Sequence, residues 1–361
     1  MDVEATKDVV HEQAAAPGRG RAARWLLVAL NCGMLVVGTT GGPILSRLYF
    51  SKGGHRKWLS AWLETAGWPL LLVPVSASYH SRRARDRGAP LFLTPRRVLL
   101  AGAVLGVLTG ADDFVYAYGL AYLPVSTSAI LISTQLAFTV FFACLIVRQR
   151  LTAATLNAVA LLTIGAVVLG LHASKDRPAG VTTGKYWMGF FLTLGAAALY
   201  GLILPLVELA YKHAAGGGRA VTYALVMEMQ LVMGFFATAF CTVGVIANKD
   251  FQAIPREAKQ YELGEARYYV VLVFNAVLWE FFFVGAVGVI FCVHTLLAGI
   301  IIAVFIPITE VLGVIFLHEK FSSEKGVALV LSLWGLASYS YGEYADAKAK
   351  KKAALEAEEA S

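Results

Sequence analysis

Charged residues are scarce in this chain, and their scarcity excludes an ordinary soluble fold. Only 15% of the 361 residues are Asp, Glu, Lys or Arg, whereas 58% are hydrophobic. A soluble domain usually carries about 25% charged residues, which cover its water-facing surface. Much of the surface of this protein must therefore face a medium other than water.

Cysteines are few, and none of them forms a CxxC pair. All lie inside apolar runs, where we expect them to pack as small apolar side chains. We therefore predict no disulfide and no zinc site. The cysteines are Cys32, Cys144, Cys241 and Cys292.

Enzyme signatures are also missing from the sequence. It contains no HExxH, no GxSxG, no GxxxxGK and no dinucleotide-binding fingerprint. His294 and His318 lie at the ends of apolar runs without a third metal ligand nearby. The sequence therefore predicts a protein that is not an enzyme and that has neither a cofactor nor a metal ion.

Long apolar runs are what the sequence has in abundance. Each run is close to the roughly 20 residues that cross about 30 Å of hydrocarbon as a helix. A segment inside a bilayer must satisfy its own backbone hydrogen bonds, so these runs predict helices. We predict an all-α integral membrane protein whose ten transmembrane helices are 24–45, 58–80, 97–119, 124–147, 153–171, 186–210, 220–246, 269–292, 295–317 and 326–342.

The basic residues indicate how the chain is oriented in the membrane. The net charge of +7 comes from short loops between apolar runs rather than from a patch with a nucleic-acid-binding pattern. Loops rich in Lys and Arg stay in the cytosol. We therefore expect both termini to be cytosolic, because one side of the membrane receives Arg82, Arg83, Arg85, Arg87, Arg96, Arg97, Arg148, Arg150, Lys212, Arg219 and Lys348 to Lys352.

A weak internal repeat suggests two halves of opposite topology. Residues 124–152 parallel residues 294–322, and each copy is a long span followed by a short charged turn. The second copy begins five spans after the first, an odd number, which inverts one copy relative to the other. Inverted repeats are typical of transporters, whose substrate site lies near the middle of the membrane at the repeat interface.

These boundaries divide the chain into five segments. The two five-helix repeats cover 24–171 and 186–342, and a loop at 172–185 connects them. Residues 1–23 are predicted to be a disordered cytosolic tail, and residues 343–361 a solvent-facing cytosolic tail rich in Lys, Ala and Glu.

Acidic residues lie inside the predicted spans, whereas Lys and Arg occur there only at the first position of a span, as Arg24 and Arg97. A charge at this depth costs at least about 2.5–3.5 kcal/mol. An acid-lined cavity disfavours phosphorylated or carboxylated cargo, and a low-dielectric site favours the protonated carboxyl group, which suits proton transfer. The intramembrane acids are Glu64, Asp112, Asp113, Glu208, Glu228, Glu280 and Glu310.

Each acid also has a structural interpretation. Glu208 reaches towards a membrane interface, either Asp112 or Asp113 ties down the following loop, and Glu228 bonds a neighbouring helix. Glu310 follows Pro307, so a structural role beside a helix broken by this proline is as plausible as a functional role. The candidates for carrying a proton are Glu64, Glu280, Asp113 and Glu310.

Two pairs of residues at helical spacing suggest a site for a planar heterocycle. Glu64 and Trp68 are four residues apart, as are Asn275 and Trp279, and Glu280 follows the second pair. An aromatic ring stacks on a flat base, and an amide or carboxylate reads the base edge. Packing or an interfacial position is the alternative for any single aromatic. Three residues of other spans, whose side chains end in polar groups, complete the predicted site: Tyr116, Gln135 and Tyr200.

Several long strings resemble the plant purine permeases of the drug/metabolite transporter superfamily. The resemblance covers about residues 25–345. Its clearest parts are NCGMLVVGTTGGPILSRLYFSKGGHRKWLSAWLETAGWP at 31–69, DDFVYAYGLAYLPVSTSAILISTQLAF at 112–138, ALYGLILPLVEL at 198–209, YALVMEMQLVM at 223–233 and LAGIIIAVFIPITEVLGVIFLHEKFSSEKGVALVLSLWGLASYSYGEY at 297–344.

The resemblance implies ten helices in two inverted five-helix repeats. It also implies proton-coupled import of purine bases, cytokinins and related heterocycles, with no nucleic acid as partner and with the lipid bilayer as surroundings. The expected location is the plasma membrane, with the endoplasmic reticulum and the vacuolar membrane as alternatives. Three alternatives remain: transport of other planar cargo (a nucleoside, alkaloid or vitamin), exchange of nucleotide sugars or phosphates, and ligand sensing without transport. The lack of cations deep in the spans argues against the exchanger.

Overall fold

The computed structural model describes residues 19–359 with short gaps at 89, 147–151, 172–176, 179, 216–221, 293–294 and 319–320. Within these described residues the regular structure is entirely helical. Thirteen α-helices follow one another: α1 (Arg19–Ser51), α2 (Lys57–Thr65), α3 (Leu72–Arg85), α4 (Arg96–Leu120), α5 (Val125–Ser133), α6 (Gln135–Ile146), α7 (Ala153–Leu171), α8 (Thr183–Ala215), α9 (Tyr223–Ala247), α10 (Asp250–Gln260), α11 (Glu265–Cys292), α12 (Thr295–Leu317) and α13 (Ser323–Glu359).

The helices confirm the predicted all-α integral membrane architecture. Large apolar side chains such as Leu100, Leu145, Phe316 and Trp334 are exposed on the outside of the bundle, where lipid would cover them. Among the described residues, seven helical stretches are long and apolar enough to cross a membrane: Trp25–Ser51, Arg96–Leu120, Val125–Ile146, Ala153–Leu171, Thr183–Tyr211, Tyr223–Ala247 and Glu265–Val289.

The second predicted span is a broken helix rather than a continuous one. Helix α2 ends at Thr65, and a 3-10 turn over Trp68–Leu71 leads into α3. Pro69 lies in the first positions of this turn, where its missing N–H does least harm. The break separates Glu64 from Trp68, so the expectation that the two share one α-helical face is wrong.

Glycines let the central helices approach closely. Gly102, Gly106 and Gly110 of α4 lie against Met229, Met233 and Ala237 of α9, and a Cβ atom at Gly106 would lie 2.4 Å from the carbonyl oxygen of Met233. Their four-residue spacing puts all three on one face of α4, where the missing side chains let α9 pack closely. Helix α1 packs along α11, α2 lies against α4, α9 and α11, and α4 also packs on α8. The candidate site lies among these helices.

Candidate functional site

A hydrogen-bonded chain joins α1 to the predicted aromatic platform on α11. Trp279 Nε1 donates to Ser46 Oγ at 3.1 Å, and Ser46 Oγ donates to Asn275 Oδ1 at 3.1 Å. All three residues are buried. Because α11 is continuous through this region, Asn275 and Trp279 lie one turn apart on the same face, as their spacing predicted.

Aromatic rings surround the indole of Trp279. The ring of Tyr116 lies edge-on at 5.7 Å between centroids, and that of Phe282 lies edge-on at 5.8 Å. Gly42 of α1 lies against the indole, and a Cβ atom there would approach Trp279 Cε2 to 3.0 Å. The ring is therefore held in one orientation, which is what a stacking platform for flat cargo requires.

Tyr116 connects this aromatic group to a group of buried acids. Besides its contact with Trp279, Tyr116 lies within electrostatic range of Glu64, Asp112 and Asp113. Glu64 is likewise within range of both aspartates, and so is Tyr200 of α8. The structure thus brings six of the predicted residues into one region, together with Asp112: Glu64, Asp113, Tyr116, Tyr200, Asn275 and Trp279.

The buried acids lack charge partners in the described part of the chain. Glu64 is fully buried on α2, and neither of its carboxylate oxygens completes a hydrogen bond there; the hydroxyl of Ser60 lies one turn earlier. Asp112 Oδ1 and Asp113 Oδ2 are also buried without a partner among these residues. A charged carboxylate is costly in such surroundings, whereas a protonated one is neutral and can donate a hydrogen bond. This arrangement suits groups that exchange a proton.

Three other predicted site residues make contacts outside the hydrogen-bonded chain of Ser46, Asn275 and Trp279. Trp68 is half-buried and packs edge-on against Phe235 of α9 at 5.4 Å. Glu280 is buried against Gly67, where a Cβ atom would meet its own Cβ at 2.4 Å. Gln135 is half-buried at the first position of α6. Among the described residues, no hydrogen bond or ring contact joins these three side chains to Trp279.

Glu228 has the structural role that the sequence left open. Its Oε2 accepts hydrogen bonds from the backbone N–H groups of Leu93 (2.7 Å) and Thr94 (3.0 Å) and from Thr94 Oγ1 (3.0 Å). Its Oε1 forms an ion pair with Arg82 at 3.2 Å. Glu228 therefore ties the connection between α3 and α4 to α9. The side chains of Glu208 and Glu310 lie outside the described residues.

Sequence reasoning missed two buried cations at helix ends. Arg47 Nη1 donates to the carbonyl oxygens of Leu120 (3.3 Å) and Ala121 (3.1 Å), which end α4. Lys325 Nζ donates to Ser126 Oγ at 2.7 Å. Both cations lie within two residues of a predicted span boundary. Spans that were longer by half a turn would have included them as intramembrane cations.

Sequence reasoning also missed a hub at one end of the bundle, where α10 covers the connection between α1 and α2. Glu257 Oε2 accepts from the hydroxyls of Tyr49 and Tyr268, both at 2.7 Å, and Oε1 accepts from the backbone N–H of His55 at 2.7 Å. Burial, with the charges of Glu257 and Glu262, raises the pKa of Tyr261 to about 12, so its hydroxyl stays a donor to the carbonyl of Leu48. The sequence did not predict this hub, because its residues lie in and beside polar loops whose sequences have no helical periodicity.

Comparison with known proteins places these features in a family context. A family described as purine nucleobase transmembrane transport matches residues 26–349. The chain is 47% identical to purine permease 3 of Arabidopsis thaliana over 90% of this chain and 93% of that protein. It is 46% identical to purine permease 2 of the same plant over 88% of this chain and 92% of that protein. Identity to the probable purine permease 5 is 36%, over 88% and 86% of the two chains.

Proposed function

Since the chain belongs to the purine nucleobase transporter family, whose members are membrane transporters and not enzymes, we propose that it imports purine bases. The proposed cargo includes purine derivatives such as adenine and cytokinins, and protons enter together with it. The observation that carries the proposal is the contact between the Trp279 platform and Tyr116, which lies beside the acids Glu64, Asp112 and Asp113. Cargo recognition and proton exchange would thus occur in adjoining parts of one buried site. We further propose the plasma membrane as the location, with both termini in the cytosol.

Ten membrane spans in two inverted repeats, 24–171 and 186–342, form the proposed architecture. The packing of the helices supports it, because the most extensive contacts recur when the halves are exchanged. Helix α1 packs on α11 as α8 packs on α4, α1 packs on α12 as α8 packs on α5 and α6, and α7 packs on α13. Alternating access would move the two halves about the shared site.

Cargo recognition rests on the aromatic platform and the buried amide. Trp279 would stack on the flat heterocycle, Asn275 would read its edge, and Tyr116 and Tyr200 would close the site. These residues are buried, so cargo would enter when α11 separates from its neighbours. Trp68, Gln135 and Glu280 stay secondary candidates for cargo binding, because no described hydrogen bond or ring contact joins them to Trp279.

Proton coupling is assigned to Glu64 with Asp112 and Asp113, and Glu280 and Glu310 are secondary candidates. Three carboxyl groups in electrostatic range cannot all carry a charge cheaply, so they would share protons. A neutral Glu64 can donate a hydrogen bond to a ring nitrogen, whereas a charged one cannot. Proton and cargo occupancy would be linked in this way.

Adenine and trans-zeatin are expected to compete for uptake, while AMP and sugar nucleotides are not. The buried cations that the structure describes, Arg47 and Lys325, already donate to helix carbonyls and to a hydroxyl, and the acids repel phosphate. Uptake of labelled adenine into cells that express the protein, in the presence of each competitor, measures this. Inhibition by AMP at the concentration at which adenine itself competes would contradict the proposal.

Trp279→Ala is expected to weaken cargo binding by about 1–3 kcal/mol, and Trp279→Phe by less, because the ring stacks on the heterocycle. The measurement is the concentration dependence of adenine uptake at matched protein level. Trp62→Ala is the control, since Trp62 also donates its indole N–H to a hydroxyl, that of Thr242, at 2.9 Å. Equal effects of the two Ala variants on adenine affinity would make Trp279 a packing residue only.

A further inference from the structure

Ser46 occupies the middle of the hydrogen-bonded chain and determines the direction of each bond. An indole N–H can only donate, so the Trp279 contact uses a lone pair of Ser46 Oγ. The hydroxyl proton of Ser46 is then directed at Asn275, where it finds Oδ1 at 3.1 Å. Ser46 is fully buried and belongs to α1, 229 positions away from Asn275.

The direction of this bond fixes the amide of Asn275. With Oδ1 turned towards Ser46, the Nδ2 group must point away from it. Asn275 is fully buried, and its Nδ2 has no hydrogen-bond partner among the residues that the structure describes. A buried donor without an acceptor is costly, and native proteins rarely retain one without a use for it.

We propose that Ser46 is a positioning residue that holds the NH₂ group of Asn275 towards the cargo, so that the site selects heterocycles with a hydrogen-bond acceptor at the facing edge. A ring nitrogen with a free lone pair is such an acceptor, whereas a C–H group at the same place is not. This inference rests on the proposed function and extends it to the polarity of the recognised edge. It also gives Ser46 a second task, because the bond from Trp279 fixes the tilt of the stacking ring.

Deaza analogues of adenine test the inference, because each replaces one ring nitrogen by C–H. Competition of 1-, 3- and 7-deazaadenine with labelled adenine is measured for the wild type, Ser46→Ala, Ser46→Thr and Asn275→Leu. The wild type should disfavour one analogue by about 5- to 150-fold, the range for leaving a buried donor unpaired. Ser46→Ala should lose this discrimination and raise the KM for adenine while kcat is retained, and Ser46→Thr should restore both.

Two further variants complete the test. Asn275→Leu removes the NH₂ donor at nearly the same size and should lose the preference for adenine over the analogue that the wild type rejects. Ser51→Ala is the matched control, since Ser51 lies on the same helix and its one hydroxyl bond in the described part of the chain goes to the carbonyl of Leu48 at 3.1 Å. This variant should behave as the wild type. Wild-type discrimination in Ser46→Ala, or no discrimination by the wild type itself, overturns the inference. Absence of adenine uptake by the wild type overturns the proposed function, and the inference falls with it.

Discussion

Glu64→Gln is expected to abolish concentrative uptake of adenine while binding and exchange of adenine persist. Glutamine keeps the size of the side chain but cannot titrate, so a carrier that depends on Glu64 can no longer take energy from the proton gradient. One proton gains about 2.3 kcal/mol per 100 mV of membrane potential, which corresponds to about 50-fold accumulation. The variant should instead equilibrate adenine across the membrane.

The variants are compared by uptake at acidic and at neutral external pH and by exchange of preloaded adenine. Asp112→Asn and Asp113→Asn should each weaken the pH dependence, because both carboxyl groups interact with Glu64. Glu262→Gln serves as control, since Glu262 is exposed and paired with Lys52 at 3.0 Å. If Glu64→Gln together with Glu280→Gln still concentrates adenine with the pH dependence of the wild type, neither residue carries the proton.

Glu228→Ala is expected to destabilise the folded protein strongly. The substitution leaves Arg82 and the N–H groups of Leu93 and Thr94 without their acceptor in a largely buried position. Removal of one partner from a buried ion pair costs about 3–5 kcal/mol. Thermal unfolding of the detergent-solubilised protein should therefore shift to a clearly lower temperature, while the KM for adenine in the folded fraction stays unchanged.

Two comparisons make the Glu228 result interpretable. Glu262→Ala removes an exposed ion pair and should cost only about 0–1 kcal/mol. Glu228→Gln retains one acceptor oxygen and should fall between Glu228→Ala and the wild type. If Glu228→Ala unfolds at the same temperature as the wild type but alters the KM for adenine, Glu228 belongs to the transport path rather than to the structural framework.

Features that depend on local sequence were predictable from the sequence alone. Apolar runs of membrane length indicated the helices, because a buried backbone must bond to itself. The spacing of Asn275 and Trp279 placed both on one face, because α11 has no break between them. Glu64 and Trp68 do not lie on one α-helix in the same way, since α2 ends at Thr65 and a 3-10 turn begins at Trp68.

Features that depend on contacts between distant segments were not predictable. Ser46 resembles any serine of an apolar helix until α11 brings Asn275 and Trp279 to it. Glu228 and Glu64 are both buried acids in predicted spans, yet one accepts bonds from Arg82 and a neighbouring loop, and the other faces further acids. Spacing along one helix does not specify which groups the other helices present.

We propose that this protein uses a proton gradient to concentrate purines. The most direct measurement places the purified protein in liposomes and follows labelled adenine under an imposed gradient, acidic outside. Internal adenine should rise above the external concentration, return to equality when a protonophore is added, and fail to rise when the gradient is reversed. Adenine that reaches equal concentrations on both sides whatever the proton gradient, or adenine that binds without entering, would contradict the account.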